Sequence, residues 1–103
     1  MNVTTAADFL RAGLKHMEDR AKTYDKPEGE RSMRATVHAF QQITGIHISE
    51  EQGWLLMAIL KAVRSQQGGY RADSYEDGAA YFALAGEAAS NARVPATPTM
   101  TGP

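Results

Sequence analysis

Cysteine does not occur among the 103 residues. Its absence excludes a disulfide framework and thiol chemistry. Histidine is scarce. His16, His38 and His47 are all there is, and none is spaced as a zinc pair. An excess of charge of one sign is missing too. Eleven basic residues face twelve acidic ones, which gives no electrostatic reason for general binding to DNA or RNA. The Gly68-Gly69 pair lacks the Lys-Ser/Thr that follows a phosphate loop. No Ser-His-Asp set stands out. The N-terminus has no basic stretch followed by an apolar one, as a secretory signal would, and no apolar run is long enough to span a bilayer. The expectation is a soluble cytoplasmic protein, with no membrane association, folded as one domain.

What the chain does have is one dense apolar run, Trp54-Leu-Leu-Met-Ala-Ile-Leu60, continuing through Lys61, Val63 and Arg64. It is poor in β-branched residues, which disfavours a buried strand. It opens with Ser49-Glu-Glu-Gln52, a capping box that satisfies free amides at a helix start. The pattern predicts a central helix over about 50–66, covered by the rest of the chain on nearly all sides.

The neighbouring segments read as three more helices. Thr5-Ala-Ala-Asp8 is a second capping box. After it, Leu10, Leu14, Met17, Ala21 and Tyr24 recur at three- and four-residue spacing, predicting an inward stripe. Asp19 points away from that stripe, with Glu18 and Arg20 on its borders. Pro27 ends this helix near Asp25, and 26–29 is a turn. A second helix is predicted over 30–44 with Met33, Val37, Phe40 and Ile43 inward, closed by Gly45 at the position that needs a left-handed backbone. Ile46 and Ile48 are expected to staple it to the central helix. The fourth helix, over 75–91, has two candidate caps, Asp73 with Glu76 or Ser74 with Asp77. It is rich in Gly and Ala, which predicts tight packing on the central helix or on a second copy, and hence a homo-oligomer, a dimer or larger. The fold class is therefore all-α: a compact four-helix domain over 1–92 with short connections. The Pro- and Thr-rich 93–103 reads as a flexible tail.

Chemistry is concentrated where the third and fourth helices meet. Lys61 and Arg64 share a face, and so do Asp73, Asp77 and Tyr81. An antiparallel hairpin closed near 68–70 sets Arg64 beside Asp73 or Asp77, and Lys61 near Asp77 and Tyr81. One reading is a salt bridge that fixes the register of the hairpin. The other is a phosphate or sugar site, with the cations on phosphate oxygens. Arg20, Lys22, Tyr24, Lys26 and Arg31 form a second basic, aromatic-bearing cluster. It is either a solvated helix end or a lip over a ligand. Trp54 reads as a core anchor, and Met17, Met33 and Met57 as gap-fillers.

Three ordered motifs, Arg20-x-x-x-Tyr24-Asp25-x-Pro27, Lys61-x-x-Arg64 and Asp73-Ser74-x-x-Asp77-x-x-x-Tyr81, resemble a phage- and prophage-encoded helical family of unknown function over residues 14–88. That family has glycine where Asp25 stands. The pattern is more distantly similar to the nucleotide-modification-associated domain of phages and to the all-α, MazG-like nucleotide pyrophosphohydrolases. The resemblance implies nucleotide chemistry. The leading expectation is an accessory protein, with a counter-defence role in a host cytoplasm, that holds a phosphate-bearing nucleotide through Arg20, Tyr24, Lys61, Arg64, Asp73, Asp77 and Tyr81, without cofactor or turnover. MazG-like enzymes hold magnesium with E-x-x-E and E-x-x-D. Glu18 has no acidic residue three away on either side. The enzymatic alternative needs Mg2+ on Glu18, Asp73, Glu76 and Asp77. A third reading is an inhibitor that docks on a host protein.

Overall fold

The computed structural model describes residues 4–24 and 32–93. The expected turn at 26–29, the side chains of Lys26 and Arg31 and the expected tail lie outside them. Four helices follow in order: α1 Ala6–Tyr24, α2 Ser32–Thr44, α3 Glu50–Ser65 and α4 Ala72–Ala92. The described residues contain no strand.

Local chemistry sets the boundaries. Thr5 and Asp8 exchange capping bonds at the start of α1, with the Asp8 amide donating to Thr5 Oγ1 at 3.1 Å and the Thr5 amide to Asp8 Oδ2 at 3.0 Å. The Thr5 amide and hydroxyl, donating to the carboxylate, favour its ionised form and hold Asp8 below its ordinary pKa. Ser49 and Gln52 form the same reciprocal box on α3, at 3.1 and 2.9 Å. Gly45 stops α2 with φ 77° and Gly68 closes the α3–α4 turn with φ 71°. Both lie in the left-handed region where a side chain would strain the backbone. The start of α4 differs from expectation. Its N-cap is Arg71, whose side chain makes no capping hydrogen bond. The helix begins before either expected cap, so Asp73 and Ser74 fall inside its first turn.

α3 and α4 form a central antiparallel pair with the most extensive contact in the molecule; α1 lies on α4 and α2 on α3. The buried core is Met33, Val37, Trp54, Leu84 and Ala85, flanked by Met17, Ile48, Met57, Tyr81 and Ala88. Glycines set the approach distances. A Cβ on Gly13 would lie 2.8 Å from the Glu76 carbonyl oxygen, so α1 sits against the backbone of α4. Gly53 leaves a notch in α3 that the Met33 thioether fills. A Cβ on Gly78 would lie 3.5 Å from the Lys61 Cβ, an ordinary contact.

Two expected inward faces are corrected. In α1, Leu10 and Leu14 point outward. The buried seam is instead Phe9, Ala12, Gly13, His16, Met17 and Arg20, because Gly13 admits the closest approach and Phe9, His16 and Arg20 find partners on α4. In α2, Phe40 and Ile43 are exposed, since that helix meets α3 chiefly around the Gly53 notch. Ile48 joins the core but Ile46 faces out. The outer side of α3 is also uncovered, contrary to its all-round apolar character. Leu55, Leu56, Ile59, Leu60 and Val63 keep between 36% and 58% of their surface.

Candidate functional site

The hairpin brings Lys61 and Asp77 together as the face pattern predicts. Nζ and Oδ2 stand 3.0 Å apart, and both side chains are more than four-fifths shielded. Gly78, beside Asp77, faces the Lys61 Cβ across the same contact. One turn further along α4, Tyr81 lies flat on Trp54, with ring centroids 5.8 Å apart and planes 19° from parallel. The Arg20 guanidinium of α1 sits 5.1 Å from the Tyr81 centroid, in reach of the electron-rich ring face. Trp54 is thus both core anchor and stacking platform.

Towards the hairpin turn the surface opens. Lys61, Arg64, Gln67, Arg71, Asp73 and Ser74 line a hollow of about 300 Å³. Arg71 Nε approaches Asp73 Oδ1 at 3.4 Å. That hydrogen bond, opposed by partial desolvation and aided by the charges of Arg71 and Lys61, holds the Asp73 carboxyl below its ordinary range. Asp73 and Asp77 each offset one cation. Arg64 is exposed and makes no ion pair among the described residues. Its positive charge adds to the positive end of the α4 dipole, where the N-cap side chain makes no capping hydrogen bond. Such a helix start suits an anion.

The expected site residues therefore separate. Lys61, Arg64 and Asp73 share the hollow, and Asp77 pairs with Lys61 beside it. Arg20 and Tyr81 belong to the stack, with Tyr81 about 12 Å from Asp73 at 1.5 Å per helical residue. Tyr24 is the last residue of α1, and its side chain lies outside the described residues. The carboxylates of the magnesium alternative do not converge. Asp73 is held by Arg71, Asp77 by Lys61 and Glu76 by His16 at 2.9 Å, while Glu18 is exposed on α1. Among the described residues no three His, Asp or Glu side chains are grouped to hold a metal ion.

Two further hollows lie by the α2–α3 junction. One of about 470 Å³ includes Arg34, His38, Gln41 and His47. The other, of about 320 Å³, includes Arg34, Glu50, Glu51 and Asn91. Their shared cation, Arg34, is bound to Glu50 at 3.2 Å, so neither matches the cationic character of the hairpin hollow. Sequence reasoning missed Arg71 and the His16–Glu76 contact. Phe9, Gly13, His16 and Arg20 recur at spacings of four, three and four. That is a seam pattern, but it is less apolar than the Leu10–Leu14 stripe beside it.

No curated protein and no solved structure matches the chain. A family described as a domain of unknown function, DUF6378, matches residues 10–89, most of the chain and all but the last turn of α4 in the hairpin, and the chain belongs to that family.

Proposed function

We propose that this protein binds a phosphate-bearing nucleotide at the hairpin hollow and does not turn it over. The observation that carries the reading is Arg64, an exposed guanidinium without an ion pair among the described residues, beside the uncapped start of α4. Arg64 supplies planar donors for phosphate oxygens, and Arg71 and Lys61, each paired with a carboxylate, line the same hollow. The sequence resemblance to nucleotide-associated domains is what extends a phosphate to a nucleotide. Binding is favoured over magnesium-dependent hydrolysis because Asp73, Glu76 and Asp77 are each engaged by a different basic side chain. A cytoplasmic setting and a phage origin belong to the same proposal.

The test is a thermal-shift screen against mono-, di-, tri- and cyclic nucleotides, with and without magnesium. A ligand at about 100 times its Kd adds about 2.7 kcal/mol, a rise on the order of ten degrees for a domain of this size. Arg64→Glu is expected to keep the fold, since no described partner is lost, and to abolish the rise. A flat screen, or an undiminished rise in Arg64→Glu, refutes the reading. A rise that needs magnesium and comes with pyrophosphate release transfers the function to the hydrolase class.

A further inference from the structure

The outer face of α3 is apolar and exposed. Leu56, Ile59 and Val63 follow the four-three spacing of a helix-pairing seam, and Gln52 and Gln66 extend it at either end. Leu55 and Leu60 flank the seam. All five apolar residues are exposed by a third or more, although they occupy the middle of the most apolar run in the chain. Around this arc Gln52, Leu55, Leu56, Ile59, Leu60, Ala62, Val63, Gln66 and Gln67 include no charged residue.

We infer that this face pairs with the same face of a second copy, α3 against α3, in an antiparallel two-fold dimer. A face without charge sets no like charges against each other when it meets itself across a two-fold axis. It also offers nothing to recognise a charged partner. The stripe exposes on the order of 400 Å² of apolar surface. A standard interface buries about 800 Å² per partner, and about 65% of a homodimer interface is apolar, so the stripe supplies most of the apolar share. The antiparallel sense opposes the two helix dipoles. Part of the small-residue face of α4, at Gly78 and Ala80, is already packed against α3 and α1 within the chain.

Light scattering after size-exclusion chromatography, over a hundredfold range of concentration, tests the dimer. The wild-type chain is expected at twice its 11.2 kDa mass. Ile59→Glu places a charge at the centre of the seam and is expected to give a monomer with unchanged helical circular dichroism. The absence of cysteine allows a second measurement that does not depend on the charged variant. Gln52→Cys and Gln66→Cys chains, mixed and oxidised, are expected to cross-link 52 to 66 and not 52 to 52 or 66 to 66. A wild-type monomer at every concentration overturns the inference. So does a dimer that persists in Ile59→Glu but dissociates in Leu10→Glu/Leu14→Glu, and so does self-pairing of the cysteines.

Discussion

Replacing Gly13 by alanine sets two known effects against each other at one atom. Glycine inside a helix is less favourable than alanine by about 1 kcal/mol, so the substitution alone stabilises α1. The new Cβ, however, meets the Glu76 carbonyl oxygen at 2.8 Å, with the Ala80 amide nitrogen at 3.5 Å and the Ala80 Cβ at 3.7 Å. The first of these is backbone inside α4, so no side chain can swing aside. The helices must part, and overpacking of this kind costs about 1–3 kcal/mol. The net expectation is between no change and a loss of about 2 kcal/mol. Gly86 provides the reference. It lies in the same fold, inside α4, with nothing within 4 Å of its added Cβ. Gly86→Ala is therefore expected to raise stability by about 1 kcal/mol. Urea unfolding followed by circular dichroism is to be measured for both. A gap of about 1–3 kcal/mol isolates the α1–α4 contact. In melting temperature each kilocalorie corresponds to roughly 4–8 °C for a domain of this size. Equal gains in the two variants refute the close packing of α1 on α4.

Other consequences follow from the same contacts. Lys61→Ala leaves Asp77 shielded without its cation, and the 15–19% residual exposure of the pair reduces the full burial penalty to about 1–3 kcal/mol. A double-mutant cycle with Asp77→Ala is expected to show strong coupling, and additivity would count against the pair. Ser49→Ala removes the capping box of α3 and is expected to cost about 1 kcal/mol in urea unfolding. Asp8 has its pKa lowered from 3.8, so its contribution to stability is complete above about pH 4 and is lost as pH falls through the lower folded value. The melting temperature of Asp8→Asn is expected to fall less between pH 5 and pH 2 than that of the wild type, and parallel curves would contradict this.

The sequence made much of this fold legible where the governing interaction is local. Both capping boxes and the Gly45 stop depend on residues within a few positions of one another, and each stands where the pattern puts it. The Lys61–Asp77 pair was also readable, because a short turn fixes how two adjacent helices face. The orientation of α1 was not. Leu10 and Leu14 make the stronger apolar stripe, but the contacts that decide the matter join Phe9 to Tyr75, His16 to Glu76 and Arg20 to Tyr81. These partners lie about sixty residues away, and two of the pairs are polar or cation–aromatic. The expected site was divided for a related reason. Sharing a face of α4 aligns Asp73, Asp77 and Tyr81, but the eight residues from first to last separate the hollow from the stack.

Docking of α1 on α4 also has a consequence in time. On the ribosome α1 is synthesised first, and the surface that receives it is synthesised last. His16 and Glu76 are 60 residues apart, an interval of about 3–12 s at ordinary elongation rates. A helical hairpin needs only microseconds to milliseconds once its chain is available. α1 therefore waits through that interval, with Phe9 and Met17 lacking the neighbours they have in the folded domain. Its eventual docking is limited by the supply of α4 and not by the intrinsic speed of helix formation. Synonymous changes that slow decoding between α1 and α4 would prolong that exposure without altering a single residue.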